Sequence, residues 1–123
     1  MRRILTCTAL TIILAACALQ SMTAAAGMSE KLSKPEAAAQ KLYGAYKSCN
    51  RAAALKAASS RAVRKLFGQR CKPGDPKWQF MGCEKTGRSR LCSYYYEGGA
   101  VSMRVAGSAS VGYRVTSVSF IAD

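Results

Sequence analysis

The side chains best suited to chemistry are basic and fall into two short clusters. The first cluster surrounds a predicted turn and comprises Lys85, Arg88 and Arg90. The second lies on a predicted helix and comprises Arg61, Arg64 and Lys65. Ammonium and guanidinium groups attract carboxylates and phosphates, and arginine can bind both through two parallel hydrogen bonds. Both clusters therefore predict contact with an anionic partner.

The charge balance of the whole chain points to the same chemistry. The chain has 19 Lys and Arg residues and 6 Asp and Glu residues, a formal net charge of +13. Without Arg2 and Arg3 of a predicted leader, 17 basic residues remain against the same 6 acidic ones, which gives +11. This surplus favours lipid headgroups, envelope polymers or an acidic protein as partners, while predicted export disfavours nucleic acid. The alternative is a basic surface that only maintains solubility.

Groups that could catalyse a reaction are scarce. The chain has no His, and no pair of acidic residues is brought together by the predicted sheet. The acidic residues of the second half stand at predicted turns or ends and are Asp75, Glu84, Glu97 and Asp123. No Ser-His-Asp set, phosphate-binding glycine loop or reactive-thiol context is present. We expect no enzymatic activity and no cofactor.

Four of the six cysteines are predicted to form two disulfide bonds. Cys7 lies in the predicted leader, and Cys17 is either removed with the leader or lipidated. The other four are Cys49, Cys71, Cys83 and Cys92. An even number of cysteines in a small exported domain is typical of disulfides. Zinc binding is the weaker alternative, because the chain has no His and no Cys-x-x-Cys pair.

The turn Thr86-Gly87-Arg88-Ser89 determines how its flanking strands pair. Gly at the first loop position is typical of a two-residue type II′ hairpin. Counted outward from this turn, Cys92 falls opposite Cys83 at a non-hydrogen-bonded pair, where side chains are closest. We therefore predict a Cys83–Cys92 disulfide. A Cys49–Cys71 disulfide follows by elimination.

A second two-residue turn is predicted at Gly98-Gly99, and it places Val101 opposite Tyr96. One face of the resulting sheet is the expected core and holds Met81, Cys83, Cys92, Tyr94, Tyr96, Val101, Met103 and Val105. The opposite face is expected to carry Trp78, Phe80, Leu91, Ser93, Tyr95, Ser102 and Arg104. The aromatic part of that face would lie under a loop or a dimer partner, or would serve as a binding surface.

The last predicted strand contains two apolar patterns that conflict. Tyr113 and Val115 occupy odd positions, whereas Val118 and Phe120 occupy even positions. Both pairs can face the core only if an extra residue interrupts the strand. We therefore predict a bulge or bend near Thr116-Ser117, which would curl the sheet.

Three helical segments are predicted before the sheet. Their expected N-caps are Ser33 in a capping box with Glu36, then Asn50 and Ser60. Their expected buried residues are Leu42, Ala45, Tyr46 and Cys49, then Leu55, then Ala62, Val63, Leu66 and Phe67. The second helix is expected to extend through Ala58, and Gly68 is expected to cap the end of the third.

Helices followed by four antiparallel strands predict the α+β class. We expect an N-terminal helix and short helices packed on a curved four-stranded antiparallel sheet with two disulfides. Ala45 to Leu66, with Asn50-Arg51-Ala52-Ala53-Ala54-Leu55, then hairpins and Gly112-Tyr113-Arg114-Val115, resembles small exported bacterial proteins of the cystatin-like or nuclear-transport-factor-2-like type. The resemblance implies a long helix across the concave face of a curved sheet, and it transfers no catalytic residue.

Residues 1–26 have the pattern of a signal peptide, which leaves residues 27–123 as a single small domain. Arg2 and Arg3 precede the mostly apolar run Ile4 to Ala16, which is too short and wrongly flanked for a membrane span. The alanines before Gly27 fit the general signal peptidase. Alternatively, Leu14-Ala15-Ala16-Cys17 fits a lipoprotein signal over residues 1–16 with Cys17 lipidated. Either pattern predicts an exported protein, periplasmic or secreted in the first case and lipid-anchored in the second.

The expected function is that of an exported, non-enzymatic binding module for an acidic protein or an anionic envelope component. The alternative is a small-molecule carrier or enzyme that uses the concave sheet face beneath the first helix. A carrier needs an unfilled cavity lined by Leu42, Tyr94, Tyr96 and Met103, whereas a binding module has these residues packed.

Overall fold

The computed structural model describes residues 31–75 and 77–122, including the backbone but not the side chain of Ala122. The helices are α1 (Pro35–Lys47), α2 (Arg51–Ala54) and α3 (Ser60–Phe67). The strands are β1 (Gln79–Thr86), β2 (Ser89–Tyr96), β3 (Gly99–Ser108) and β4 (Gly112–Ala122). This order confirms the α+β class. The predicted signal peptide, both cleavage alternatives and Cys17 lie outside the described residues.

The four strands form one antiparallel sheet in the order β1-β2-β3-β4. The β1–β2 hairpin pairs as predicted, with Cys92 opposite Cys83 and Ser89 opposite Thr86. Gly87 has a φ of 62°, as the first loop position of a type II′ turn requires. The Cα atoms of Cys83 and Cys92 lie 3.9 Å apart, and a disulfide joins the two side chains.

The β2–β3 pairing differs from the prediction by two residues. Tyr94 lies opposite Val101, and Tyr96 lies opposite Gly99, so the loop is Glu97-Gly98. Gly98 supplies the positive φ of 97° that the turn needs. Gly99 is instead the first residue of β3. Glycine is needed there because a Cβ would collide with the carbonyl oxygen of Ile121. The prediction was wrong because it assigned both glycines to the turn.

The prediction for the start of β1 was also wrong. The pairing shifts by one residue between Phe80 and Gly82, and Gly82 has a φ of 97°. One extra residue in a strand exchanges the faces of all residues beyond it. Trp78 and Phe80 consequently pack against the core, whereas Met81, predicted to be inside, is 51% exposed.

The bulge predicted in β4 is confirmed. Ser117 lies opposite Arg104 and Val115 opposite Val105, which leaves Thr116 as the extra residue. Val115 and Val118 are both buried despite their different positional parity. The extra residue thus allows both halves of β4 to contribute to one core.

Two of the three predicted helix caps need correction by one residue. The N-cap of α1 is Lys34, without a side-chain capping bond, and Pro35 takes the first helical position, so the capping box at Ser33 is absent. The N-cap of α3 is Ser59, whose hydroxyl accepts a 3.2 Å hydrogen bond from the Ala62 N–H. Asn50 caps α2 as predicted and accepts a 3.0 Å hydrogen bond from the Ala53 N–H.

Helices α1 and α2 are joined through a Schellman motif. Cys49 adopts a left-handed conformation with a φ of 55°, and its N–H donates to the Tyr46 carbonyl at 3.0 Å. The Asn50 N–H donates to the Ala45 carbonyl at 2.8 Å. These two bonds satisfy carbonyls that the end of α1 would leave unpaired. Cys49 is in turn joined to Cys71 by the second disulfide, as predicted.

The helices cover one face of the sheet and form the core with it. The largest fully buried side chains are Tyr94, Leu42, Leu66, Met103, Val63, Val101, Val105, Val115 and Cys92. Ala62, Val63 and Leu66 of α3 are buried as predicted. Leu55, predicted to point inward, is 44% exposed because α2 ends at Ala54 and the chain then turns.

Candidate anion-binding surface

The tip of the β1–β2 hairpin brings together the first basic cluster. Lys85 and Arg90 lie directly opposite each other, one pair before the turn, and Arg88 is the second residue of the loop. Lys85 and Arg88 are exposed, and Arg90 is half-buried. No described carboxylate forms an ion pair with any of the three. We call Lys85, Arg88 and Arg90 the hairpin tip.

Glu84, the acidic residue next to the hairpin tip, belongs to the other face of the strand. It lies opposite Leu91, whereas Lys85 lies opposite Arg90. Because side chains alternate along a strand, Glu84 and Lys85 project to opposite sides of the sheet. Glu84 is therefore badly placed to neutralise the opposed Lys85–Arg90 pair.

Arg104 joins this region although the sequence did not place it there. Its Nη1 donates a 2.9 Å hydrogen bond to the hydroxyl of Ser89, the first residue after the turn. The predicted pairing placed Arg104 opposite Ser93, but the observed pairing places it opposite Leu91. That difference moves Arg104 two residues closer to the hairpin tip. A correct prediction of the β2–β3 loop would have placed Arg104 near the hairpin tip.

The second basic cluster occupies the exposed side of α3. Arg61, Arg64 and Lys65 are spaced by three and four residues, so their side chains lie on one face of the helix. All three are exposed, and none has an ion-pair partner within the described residues. We call these three residues the α3 basic face.

Several other cations are already engaged by the fold. Arg114 donates to the carbonyl oxygens of Leu55 and Ala58 at 3.0 and 2.6 Å. Arg51 lies over the ring of Phe67, 5.3 Å from its centroid. Contacts of this kind hold neighbouring elements together. The hairpin tip and the α3 basic face are therefore better candidates for contact with a partner.

The face that a carrier would use is filled by aromatic side chains. Tyr94 lies 4.8 Å from Tyr43 and 5.0 Å from Phe80 between ring centroids. Trp78 stacks on Tyr43 at 5.3 Å between ring centroids, and the backbone N–H of Trp78 donates to the Tyr43 hydroxyl at 2.9 Å. Leu42 and Met103 have no solvent-exposed surface, and Tyr96 is half-buried.

One polar atom in this aromatic cluster is unusual. The Tyr94 hydroxyl is buried and has no hydrogen-bond partner among the described residues. Burial, and secondarily the neighbouring Tyr43, raises the pKa of Tyr94 above its usual range. Burial also raises the pKa of Tyr46, whose hydroxyl donates to the Arg70 carbonyl at 3.3 Å.

The residues considered for catalysis or metal binding remain apart. Asp75, Glu84 and Glu97 are exposed and occupy separate turns or strands, and Asp123 lies outside the described residues. The four cysteines predicted to pair are joined in two disulfides, so none of them is free to bind zinc. In residues 31–75 and 77–122, no three His, Cys, Asp or Glu side chains lie close enough to hold a metal ion.

Comparison with known protein families, curated proteins and solved structures found no match for this chain. The resemblance to cystatin-like and nuclear-transport-factor-2-like proteins therefore stays a prediction. Among the helices of the described part, none has both the length and the apolar character that crossing a membrane requires.

Proposed function

We propose that this chain is an exported, non-enzymatic binding module whose hairpin tip contacts an anionic partner, either an acidic protein or an anionic envelope component. The observation that carries the proposal is the direct opposition of Lys85 and Arg90, with Arg88 beside them. Like charges directly opposite each other in a sheet are destabilising. An anionic partner would remove this repulsion and gain several charge-assisted hydrogen bonds.

The geometry of the tip supports a localised contact. A hydrogen bond to Ser89 holds Arg104 near the turn. Arg104 therefore adds a fourth cation, on the opposite face of the sheet from Lys85 and Arg90. The disulfide between Cys83 and Cys92 fixes the two strands just before the tip. Fixed strands reduce the conformational entropy that binding would cost. Charged residues that merely prevent strand ends from aggregating are the competing explanation for the tip.

The proposal is tested by two triple variants that remove the same charge from different places. One carries Lys85→Ser, Arg88→Ser and Arg90→Ser, and the other carries Arg61→Ser, Arg64→Ser and Lys65→Ser. Binding is measured by co-sedimentation with phosphatidylglycerol vesicles and, separately, by titration with polyglutamate. We expect the hairpin-tip variant to lose more affinity, and we expect wild-type binding to weaken as salt shortens the screening length to about 10 Å at 0.1 M.

Equal losses in the two triple variants would mean that only net charge matters, and the hairpin tip would not be a site. A preference for vesicles would identify a lipid surface as the partner, and a preference for polyglutamate would identify an acidic protein. Urea unfolding of both variants provides the control for folding. Removal of the opposed Lys85–Arg90 pair is expected to leave stability unchanged or slightly higher.

Export is part of the proposal and is supported by two disulfides in a small domain. Disulfides persist in oxidising compartments and are rare in the cytosol. The leader pattern of residues 1–26 supports a periplasmic or secreted location, and the Cys17 pattern supports a lipid anchor in the bacterial envelope. Sequencing the mature N-terminus discriminates between them, because the general signal peptidase would expose Gly27 and a lipoprotein would begin at Cys17.

A second candidate is a small-molecule carrier or enzyme that uses the concave sheet face beneath α1. One observation favours it, the buried Tyr94 hydroxyl, which has no hydrogen-bond partner among residues 31–75 and 77–122. The packing of Leu42, Met103 and the aromatic cluster argues against it, because a ligand would have to displace them. A change of Trp78 fluorescence with apolar ligands would support the carrier, since Trp78 lies in this cluster.

A further inference from the structure

The two edges of the sheet are protected to different degrees. The β1 edge contains a bulge between Phe80 and Gly82 and the charged residues Glu84 and Lys85. Bulges and charges are devices that prevent an edge strand from pairing with another chain. The β4 edge has its bulge at Thr116, and the six positions after it, residues 117–122, contain no charged residue, no Pro and no Gly.

The first half of the β4 edge is covered by the chain itself. The Val115 N–H donates to the Ala57 carbonyl at 2.8 Å, and the Val115 carbonyl accepts from the Ser59 N–H at 2.8 Å. The Tyr113 N–H donates to the Leu32 carbonyl at 2.8 Å. These bonds satisfy three of the outward-facing backbone groups before the bulge, the N–H of Tyr113 and both groups of Val115.

In the part of the chain that the structure describes, the second half of the β4 edge lacks this cover. Along an edge strand, residues whose backbone N–H and C=O face the neighbouring strand alternate with residues whose groups face away. The groups of Val115 face away from β3. Because Thr116 is an extra residue, the next residues whose groups face away are Val118 and Phe120. Within residues 31–75 and 77–122, neither residue has a backbone partner on the outer side. Phe120 is half-buried, and Ile121 is 54% exposed. An uncharged edge with unpaired backbone groups is a template for strand addition.

We propose that this edge, residues 117–121 of β4, pairs with the same edge of a second copy of the chain. Antiparallel pairing of one segment with itself satisfies two-fold symmetry, because Val118 of each copy meets Phe120 of the other. The two sheets then form a continuous eight-stranded sheet, and Ser119 meets its own counterpart at the two-fold axis.

Charge explains why this segment suits a second copy. Molecules with a net charge of +13, or +11 without Arg2 and Arg3, repel one another, so close association is least opposed where the surface is uncharged. The nearest charged side chain before the segment is Arg114, which donates to the carbonyls of Leu55 and Ala58. The hairpin tip lies at the opposite end of the sheet from the β2–β3 turn, where β4 ends. Pairing through residues 117–121 therefore leaves both hairpin tips accessible.

The proposal is tested by sedimentation equilibrium of the exported wild-type chain over a range of concentrations. The expected result is a reversible monomer–dimer equilibrium. Dimerisation should tighten as salt is raised from about 0.05 to 0.5 M, because screening weakens the repulsion between like-charged copies. Anion binding at the hairpin tip is expected to weaken over the same rise in salt. The two proposals can therefore fail independently.

Two matched variants locate the contact. Ser119→Lys places two like charges directly opposite each other at the two-fold axis and is expected to raise the dimer Kd by about tenfold or more. Val111→Lys adds the same charge in the β3–β4 turn, at the opposite end of β4, where Val111 is 80% exposed. It is expected to leave the dimer Kd nearly unchanged. Ile121→Lys provides a second edge variant if Ser119→Lys does not fold.

Three results would overturn the proposal. The first is a wild-type chain that stays monomeric at about 1 mM, a concentration at which even weak pairs associate. The second is equal weakening by the edge variants and by Val111→Lys, which would assign the effect to net charge. The third is a dimer that the folded edge variants leave intact, which would place the contact elsewhere.

Discussion

Tyr94 has a buried hydroxyl without a hydrogen-bond partner in the described part of the chain. Its ring is surrounded by Tyr43, Trp78 and Phe80, which supply apolar contacts but no acceptor for its proton. A buried hydroxyl that leaves water without gaining a partner lowers the stability of the folded state. The ring of Tyr94 therefore stabilises the folded state, whereas its buried hydroxyl lowers the stability of that state.

Tyr94→Phe is expected to preserve or raise the free energy of unfolding, by about 1 kcal/mol at most, because the unpaired hydroxyl is removed and the ring is kept. Tyr43→Phe is the matched control and is expected to lower the free energy of unfolding by about 1–3 kcal/mol, because the partly buried backbone N–H of Trp78 loses its acceptor. Urea unfolding at neutral pH measures both. A loss of stability in Tyr94→Phe comparable to that in Tyr43→Phe would show that Tyr94 does have a partner.

The same variant should respond differently to alkaline pH. Burial raises the pKa of Tyr94, so the folded state keeps its proton at a pH where an unfolded tyrosine, with a pKa of about 10, loses it. The unfolded state then binds fewer protons than the folded state, and stability falls as pH rises above about 10. Unfolding at a series of pH values should show a shallower fall for Tyr94→Phe than for wild type.

Strand β3 begins at a position where the chain needs glycine for space. A Cβ at Gly99 would collide with the Ile121 carbonyl of β4 and would also press on the Tyr96 ring. Gly44 in α1 shows the opposite case, because a Cβ there would have nothing within 4 Å. The two glycines therefore make a matched pair for testing how closely β3 and β4 approach.

Gly99→Ala is expected to lower the free energy of unfolding by about 1–3 kcal/mol, the usual cost of forcing an extra methyl group into a packed site. Gly44→Ala is expected to raise it by about 0.5–1 kcal/mol, because alanine restricts the unfolded chain and favours the helix. Denaturant unfolding of the two variants beside wild type measures both changes. A neutral Gly99→Ala would contradict the close approach of β3 and β4.

The parts of the sheet that the sequence predicted are those fixed by local chemistry. Gly87 favours a two-residue turn that begins with a positive φ, and a two-residue turn at Gly87-Arg88 places Cys83 opposite Cys92. The bulge at Thr116 followed from the conflict between two apolar patterns in one strand. The β2–β3 loop was mispredicted because Gly98 and Gly99 both suit a turn, and only contact with Ile121 distinguishes them.

The candidate site was predicted in part for the same reason. The hairpin tip followed from the turn at Gly87, so Lys85 and Arg90 were correctly placed opposite each other. Arg104 was missed because its distance from the tip depends on the β2–β3 loop. The bulge at Gly82 carried no apolar signal, since Phe80 and Met81 are both apolar and either could face the core.

The molecule as a whole combines a small core with two disulfides. Cys49–Cys71 joins the end of α1 to the segment between α3 and β1, and Cys83–Cys92 lies within one hairpin. The first closes a longer stretch of chain, since its cysteines are 22 residues apart rather than 9. In the chain-entropy model, the longer closure restricts the unfolded state more.

Replacing Cys49 and Cys71 together by Ala is expected to lower the free energy of unfolding by about 3 kcal/mol, within the usual range of about 2–5 kcal/mol for small exported domains. Urea unfolding of the double variant beside wild type tests this. Peptide mapping of the unreduced wild-type protein should recover Cys49 linked to Cys71 and Cys83 linked to Cys92. A Cys71–Cys83 link would contradict the pairing of β1 with β2.

The left-handed conformation of Cys49 bears on the order in which the reduced chain oxidises. A non-glycine residue adopts this conformation at a cost, so Cys49 reaches its native orientation only when the two bonds that end α1 have formed. The hairpin thiols need no helix, and closing their 9-residue separation costs less entropy than closing 22. Alkylation during refolding should therefore trap a one-disulfide intermediate with Cys83 joined to Cys92. The Cys49–Cys71 disulfide is then expected to form only after the end of α1 has folded.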